Sequence, residues 1–510
     1  MSNSQKIAKN TFFLYIRMFL IMGITLYTSR VVLKELGVSD YGIYSIVGGV
    51  VAMLGVLNSA MATATQRYLS YDIGNANSEQ LKKTFSATLS IHIGIAIFIL
   101  FLTESLGLWY INYKMVFPTE KCLAVNVVYQ FSILTLLVSI IQVPYNALIL
   151  ARERMKVYAY VSVIEAALKL LIVFMLGLFG KDKLIVYSVL TFTVALLIRM
   201  IYQVYCRKQF PESKFHFEWN KEYFKELISY SGWNLFGSVA VICRNQGNNM
   251  VLNLFFGTIV NASYGITNQV QAAVTLFVTN FQTALNPQII KSYASKDYQR
   301  MYKLICKGSK LSFFLVLFLF YPLYYNIEFI LSNWLEKVPD YSNVFIRLSL
   351  VVVLIDCLSG PLMVGSQATG KIRNYQIVVG AIIFLNLPIS YCLLKYALGS
   401  PETVYYVSIC MSMLAFIFRI LFLQKMINFP IRYYLKNVIL VLLIVVLISS
   451  GIYKIVIPTI INLGGFIGFF YSSIFIVFTS AILISGIGLD KGEKQFIKSI
   501  ILKKFLKKVK

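Results

Sequence analysis

Long apolar runs separated by short polar connections dominate this chain. About fourteen of them reach the roughly 20 mostly apolar residues that a helix needs to cross a bilayer. They lie near 11–33, 40–64, 85–110, 122–150, 157–179, 184–205, 229–256, 260–285, 311–334, 341–366, 375–398, 402–424, 436–457 and 463–487. The pattern predicts an all-α polytopic membrane protein of about fourteen transmembrane helices. Segments 40–64 and 260–285 are unusually polar for spans. Composition agrees, since 58% of the 510 residues are apolar and 13% charged, outside the usual balance of soluble domains.

The pattern also repeats. YGIYSIVGGVV from Tyr41 has a counterpart in YGITNQVQAAV from Tyr264, and TQRYLSY (65–71) one in PQIIKSY (287–293). PYNALILARERMKVY from Pro144 and PLMVGSQATGKIRNY from Pro361 share a proline, an alanine, two basic residues and a tyrosine at matched positions. Matches in the same order at nearly constant offset imply a duplicated unit. Each copy holds six spans, an even number, so the copies share one orientation and form a parallel repeat. The expected organisation is a six-helix bundle at 1–208, a second at 222–428, two further transmembrane helices at 429–487, and a basic tail at 488–510. The tail carries eight lysines among Phe496, Ile500, Leu502, Phe505, Leu506 and Val509, the pattern of an amphipathic helix on an anionic membrane surface.

A net charge of +26 raises the question of nucleic acid. Most of the 47 Lys and Arg instead fall in loops on the side of the N-terminus, as the positive-inside rule requires. Membrane lipids, and no nucleic acid, are the implied partners of that charge, and both termini are expected in the cytoplasm. The first apolar stretch is too long for a signal-peptide core and reads as a retained span. Seven scattered cysteines and two histidines, His92 and His216, offer no disulfide framework and no ligand-spaced metal site. No cofactor is expected.

Polar residues inside the spans carry the candidate chemistry. Asn268, Gln271, Thr275, Thr279, Gln282 and Asn286 recur every three or four residues, as do Ser132, Thr135, Ser139, Gln142 and Asn146. Each set forms one helix stripe, either a cavity lining or hydrogen-bonding glue between helices. The stretch VICRNQGNNMVLN (241–253) puts Arg244, Asn245, Asn248, Asn249 and Asn253 into a span. A charge near the bilayer centre costs several kcal/mol and by default marks a site. Arg244 lies too deep to snorkel easily, whereas Arg17 either lines a cavity or snorkels to the surface. Glu165 and Lys169 stand four apart, in register to pair on one helix; they are a structural pair or a coupling site. Arg347 and Asp356 point to opposite helix faces, leaving Asp356 to meet an arginine from another helix.

The run KNTFFLYIRMFLIMGITLYTSRVVLKELGVSDYGIYSIVGGVVAML, with its LG..DYGIY after the first span, resembles the O-antigen-type polysaccharide flippases of the multidrug/oligosaccharidyl-lipid/polysaccharide (MOP) exporter superfamily. The resemblance implies a multi-pass protein of the bacterial inner membrane that moves an undecaprenyl-pyrophosphate-linked glycan to the outer leaflet, in functional association with a polysaccharide polymerase. Arginine suits a pyrophosphate because its planar fork binds phosphate oxygens bidentately, and amides and hydroxyls suit sugars. The substrate-binding residues expected on this reading are Arg17, Arg244, Asn245, Asn248, Asn249, Asn268, Gln271, Gln282 and Asp356, facing a cavity between the halves, with Glu165 and Lys169 as the coupling pair. A cation-coupled multidrug exporter of the same superfamily is one alternative. It would be expected to carry more carboxylates in its first half. A membrane polymerase or glycosyltransferase is another, disfavoured because the outer loops are short and lack paired carboxylates.

Overall fold

A computed structural model describes residues 3–113, 119–177, 182–216, 221–335, 338–396, 399–490 and 493–494, with scattered side chains, Asn253 among them, left out of the description. The tail beyond Lys494 therefore lies outside the described residues. The described chain is helical: α1 (Asn3–Gly74), α2 (Ser78–Leu102), α3 (Leu108–Tyr113), α4 (Cys122–Ala151), α5 (Met155–Leu176), α6 (Lys183–Gln209), α7 (Lys221–Ala294), α8 (Tyr298–Trp334), α9 (Ser342–Ala368), α10 (Arg373–Tyr396), α11 (Thr403–Ile427), α12 (Ile431–Tyr434), α13 (Leu440–Ile461) and α14 (Gly465–Leu483). A π-turn joins α2 to α3 and another joins α12 to α13. Ten helical segments among the described residues are long and apolar enough to cross a membrane.

The remaining spans lie in α1 and α7, of 72 and 74 residues. A straight helix of that length would run about 110 Å, several times the hydrocarbon core. Both double back. In α7, Asn261 Nδ2 donates to Asn249 Oδ1 at 3.1 Å and to its carbonyl at 3.3 Å, although twelve residues of straight helix are about 18 Å long. Tyr264 likewise reaches the carbonyl of Asn245 at 2.9 Å. In α1, Val32 and Leu36 pack with Val125 at the start of α4 and Leu176 at the end of α5. Leu69 packs instead with Leu148 at the end of α4 and Cys206 at the end of α6. Each long helix thus supplies two crossings, giving the fourteen that the hydrophobic pattern predicts.

The chain divides into two compact units, one of residues 9–238 with 293–295, the other of 1–8, 239–292 and 296–510. Local backbone geometry repeats between the two halves of the sequence. Ala76 and Lys296 both have positive φ, 54° and 59°, and each precedes a helix capped by the next residue. Asn77 Oδ1 accepts from Gln80 N at 3.0 Å and Asp297 Oδ1 from Arg300 N at 3.1 Å, the usual N-cap arrangement. Glu153 and Gly370, at φ 58° and 78°, close α4 and α9. Pro144 and Pro361 lie inside those two helices, and each helix ends at the alanine of the shared motif.

In the second unit, α13 and α14 are stitched to α8. The Tyr321 hydroxyl bonds Ser449 at 2.7 Å and Ser450 at 2.8 Å, and Ser472 donates to Asn326 Oδ1 at 2.9 Å. Such contacts hold helices together where lipid supplies no hydrophobic drive. Ten residues beyond the end of α14 the Glu493 carboxylate pairs with Lys310 at 2.7 Å, both side chains at 8% exposure or less.

Candidate functional site

Arg244 opens onto a cavity of about 610 Å³ lined by residues of the second unit, from both arms of α7 and from α9. The first arm contributes Val241, Arg244, Asn245 and Gln246. The second arm contributes Asn268, Gln271, Thr275, Thr279 and Gln282, five of the six residues that helical spacing places on one face; Asn286 is not part of the lining. The stripe is therefore a cavity wall, about 21 Å long at 1.5 Å per residue. Its hydroxyls are partly turned inward: Thr279 donates to the Thr275 carbonyl at 2.9 Å. Gln282 is fixed, its Nε2 donating to Ser312 Oγ and to the Cys357 carbonyl, both at 3.0 Å. Gly360 makes this possible, because a Cβ there would overlap the Gln282 amide.

Across the cavity stands Asp356 on α9. Both terminal nitrogens of Arg244 approach its Oδ2, at 3.5 and 3.4 Å, and one also approaches Ser412 Oγ on α11 at 3.4 Å. Asp356 is thus the carboxylate that meets an arginine from another helix. Arg347, nine residues away, pairs with Glu328 at 3.3 Å instead.

Asn248 and Asn249 do not line this cavity. Asn248, 3% exposed, donates toward Ser408 at 3.5 Å, one turn along α11 from the Ser412 that Arg244 touches. Asn249 latches the α7 hairpin through Asn261. Both brace the arm that carries Arg244. Gly247 helps that arm close on α10, since a Cβ there would strike Leu387.

Arg17, Glu165 and Lys169 meet in a different cavity, of about 440 Å³, lined by residues of the first unit. The Arg17 guanidinium lies 4.6 Å from the centroid of the Tyr158 ring, a cation–π contact, and its buried Nε has no hydrogen-bond partner among the described residues. Glu165 and Lys169 pair at 2.7 Å, as their spacing allows. Gln142 and Asn146 of the α4 stripe line the same cavity, whereas Thr135 and Ser139 of that stripe bond to carbonyls of their own helix.

One cluster escapes the sequence reading. Arg67, 5% exposed, lies 4.4, 4.9 and 5.4 Å from the ring centroids of Tyr68, Tyr71 and Tyr230. Tyr68 donates to Glu226 at 3.1 Å, and Thr84 donates to the neighbouring Asp72. Burial pushes the Asp72 carboxyl up to about 6, against the Thr84 hydrogen bond and the Arg67 charge, which lower it. The motif TQRYLSY marks this place as part of the repeat, but nothing in its spacing announces a caged arginine.

The fold is that of MATE transporters. A MATE transporter in complex with MaL6 is 12% identical over 83% of this chain and 98% of its own, at a TM-score of 0.69. An outward-facing multidrug resistance MATE family transporter of the MOP superfamily gives 12% over 83% and 98%, at 0.67. A mutant of the Vibrio cholerae MATE transporter VcmN gives 13% over 83% and 97%, at 0.64. No curated protein sequence matches. The model of the family described as polysaccharide biosynthesis protein matches residues 7–293, more than half of the chain. Family and fold point to a membrane transporter of the MOP superfamily rather than an enzyme, and the chain belongs to the polysaccharide biosynthesis protein family.

Proposed function

We propose that this transporter is a flippase that carries an undecaprenyl-pyrophosphate-linked oligosaccharide across the bacterial inner membrane by alternating access, for surface polysaccharide synthesis. O-antigen, capsule and exopolysaccharide are the candidate products, and a polysaccharide polymerase is the functional associate. The supporting observation is the cavity around Arg244. One arginine, with Asp356 beside it, faces amides and hydroxyls, among them Asn245, Gln246, Asn268, Gln271, Thr275 and Thr279. That lining matches a phosphate head followed by sugar hydroxyls, while the long apolar tail stays in lipid. An arginine inside an apolar span is retained only where water, a partner or an anionic ligand offsets its desolvation. Arg17, in the cavity of the first unit, offers a second guanidinium. Glu165 and Lys169 beside it are the proposed coupling pair.

The test is complementation of surface polysaccharide in a host lacking its own flippase. Arg244→Ala should reach the membrane at normal abundance and fail to deliver polysaccharide, and Arg244→Lys should retain part of the function as a point charge without the fork. Full complementation by Arg244→Ala at wild-type abundance would show that the arginine is structural. The likeness of the fold to multidrug MATE transporters favours a second reading, export of drugs in exchange for cations. Drug resistance lost in Arg244→Ala with polysaccharide unaffected would select it.

A further inference from the structure

We infer that Asp356 is a stand-in for the substrate's phosphate: it occupies Arg244 in the unloaded transporter and is displaced when the pyrophosphate arrives. The inference rests on the proposed function, because it assigns a task to the partner of the arginine at that same site.

The geometry is that of a loose pair. Charge-assisted N–H···O contacts to carboxylate normally measure 2.7–2.9 Å, and arginine prefers two parallel bonds to two oxygens. Here both guanidinium nitrogens share the single oxygen Oδ2, at 3.5 and 3.4 Å. The hydrogen bonds from the arginine to this carboxylate all go to that one oxygen. The Arg244 side chain is 12% exposed and the Asp356 side chain 32%, so the carboxylate is the wetter partner and can turn into the cavity that both line. Gln282, anchored by its two 3.0 Å hydrogen bonds, and Ser412 hold the surroundings while the pair opens. A phosphate group offering two oxygens along the fork makes a better ligand than a carboxylate held by one.

Such an exchange solves a problem that every carrier of a charged head must meet. After release, an empty site containing a desolvated arginine is costly to carry back through the closed state. With Asp356 on Arg244 the returning site is neutral. A carrier lacking the carboxylate should hold its substrate more tightly and reset more slowly.

The experiment uses the full-length protein in nanodiscs with undecaprenyl pyrophosphate as the binding probe, and proteoliposomes for turnover. Asp356→Asn, close to isosteric, should bind the probe roughly three- to tenfold more tightly while its kcat falls, so KM and kcat drop together. Asp356→Glu, whose extra methylene lets the carboxylate close on the guanidinium, should move binding the other way and weaken it. Arg244→Ala should weaken binding in either background. If Arg244→Ala weakens binding but Asp356→Asn binds no more tightly than wild type, Asp356 only positions the arginine and the inference is overturned. Should Asp356→Asn fail to give a monodisperse protein, equal or tighter binding by Asp356→Glu overturns it as well. If Arg244→Ala binds as wild type does, the proposed function of the site falls instead.

Discussion

At the scale of single residues, depth and spacing already identify Arg244 and the Asn268–Gln282 stripe as special. A charge in an apolar run and a three-to-four periodicity are both visible in one dimension, and the structure gathers them into one cavity. The identity of the partners is not visible. Asp356 is 112 residues from Arg244, and only the packing of α9 against α7 brings them together. Asn248 and Asn249 share the same polar stretch yet serve as braces, because the hairpin in α7 sets Asn261 opposite Asn249. Asp72 is another residue whose character comes from burial. Its carboxyl is raised to about 6 from an unfolded value near 4, so between about pH 4 and 6 the folded protein keeps a proton that the unfolded chain has released. Stability should therefore fall as pH rises through that window, by on the order of 2–3 kcal/mol for this one group. Thermal unfolding of Asp72→Asn across pH 4–7 should show a flatter profile than wild type; an unchanged slope would mean that burial of Asp72 does not set it.

At the scale of elements, the hydrophobic pattern counts crossings well and reads their ends poorly. The polar segments 40–64 and 260–285 are the second arms of α1 and α7, each of which is one long helical element that doubles back. Between the arms the sequence offers a single glycine each, Gly37 and Gly257, and a lone glycine beside apolar runs is a weak stop signal. The duplicated motifs are more legible, since a positive-φ residue, a helix cap and a proline inside a helix are chemical demands that leave residue signatures. The sequence marks the last helix pair as two further spans without showing what they pack against. Its hydrogen bonds to Tyr321 and Asn326 and the Lys310–Glu493 pair make it part of the second unit. Both members of that ion pair are nearly inaccessible, so Lys310→Met alone should destabilise by about 3–5 kcal/mol, because it strands a buried carboxylate. Lys310→Met combined with Glu493→Leu should recover most of that loss. Equal melting of the single variant and wild type in detergent would refute the burial of the pair.

At the scale of the whole molecule, a +26 chain that could have been read as a nucleic-acid binder is a multi-pass membrane protein. The positive-inside rule accounts for its basic residues by an expected loop sidedness, without requiring one soluble face. The chain belongs to the polysaccharide biosynthesis protein family and has the MATE fold, which together point to a transporter of the MOP superfamily. Two cavities each hold an arginine from the first arm of a long helix, Arg17 and Arg244, and in the proposed function these receive the anionic head that a lipid-linked glycan has and a cationic drug lacks. The most direct measurement reconstitutes the protein in sealed liposomes with an undecaprenyl-pyrophosphate-linked glycan on one face and follows, with an impermeant lectin, its appearance on the other. Protein-dependent appearance of glycan that is abolished by Arg244→Ala, with undecaprenol lacking the pyrophosphate failing to compete, is the result expected. Appearance at the same rate in protein-free liposomes, or undiminished transport by Arg244→Ala, would contradict the account.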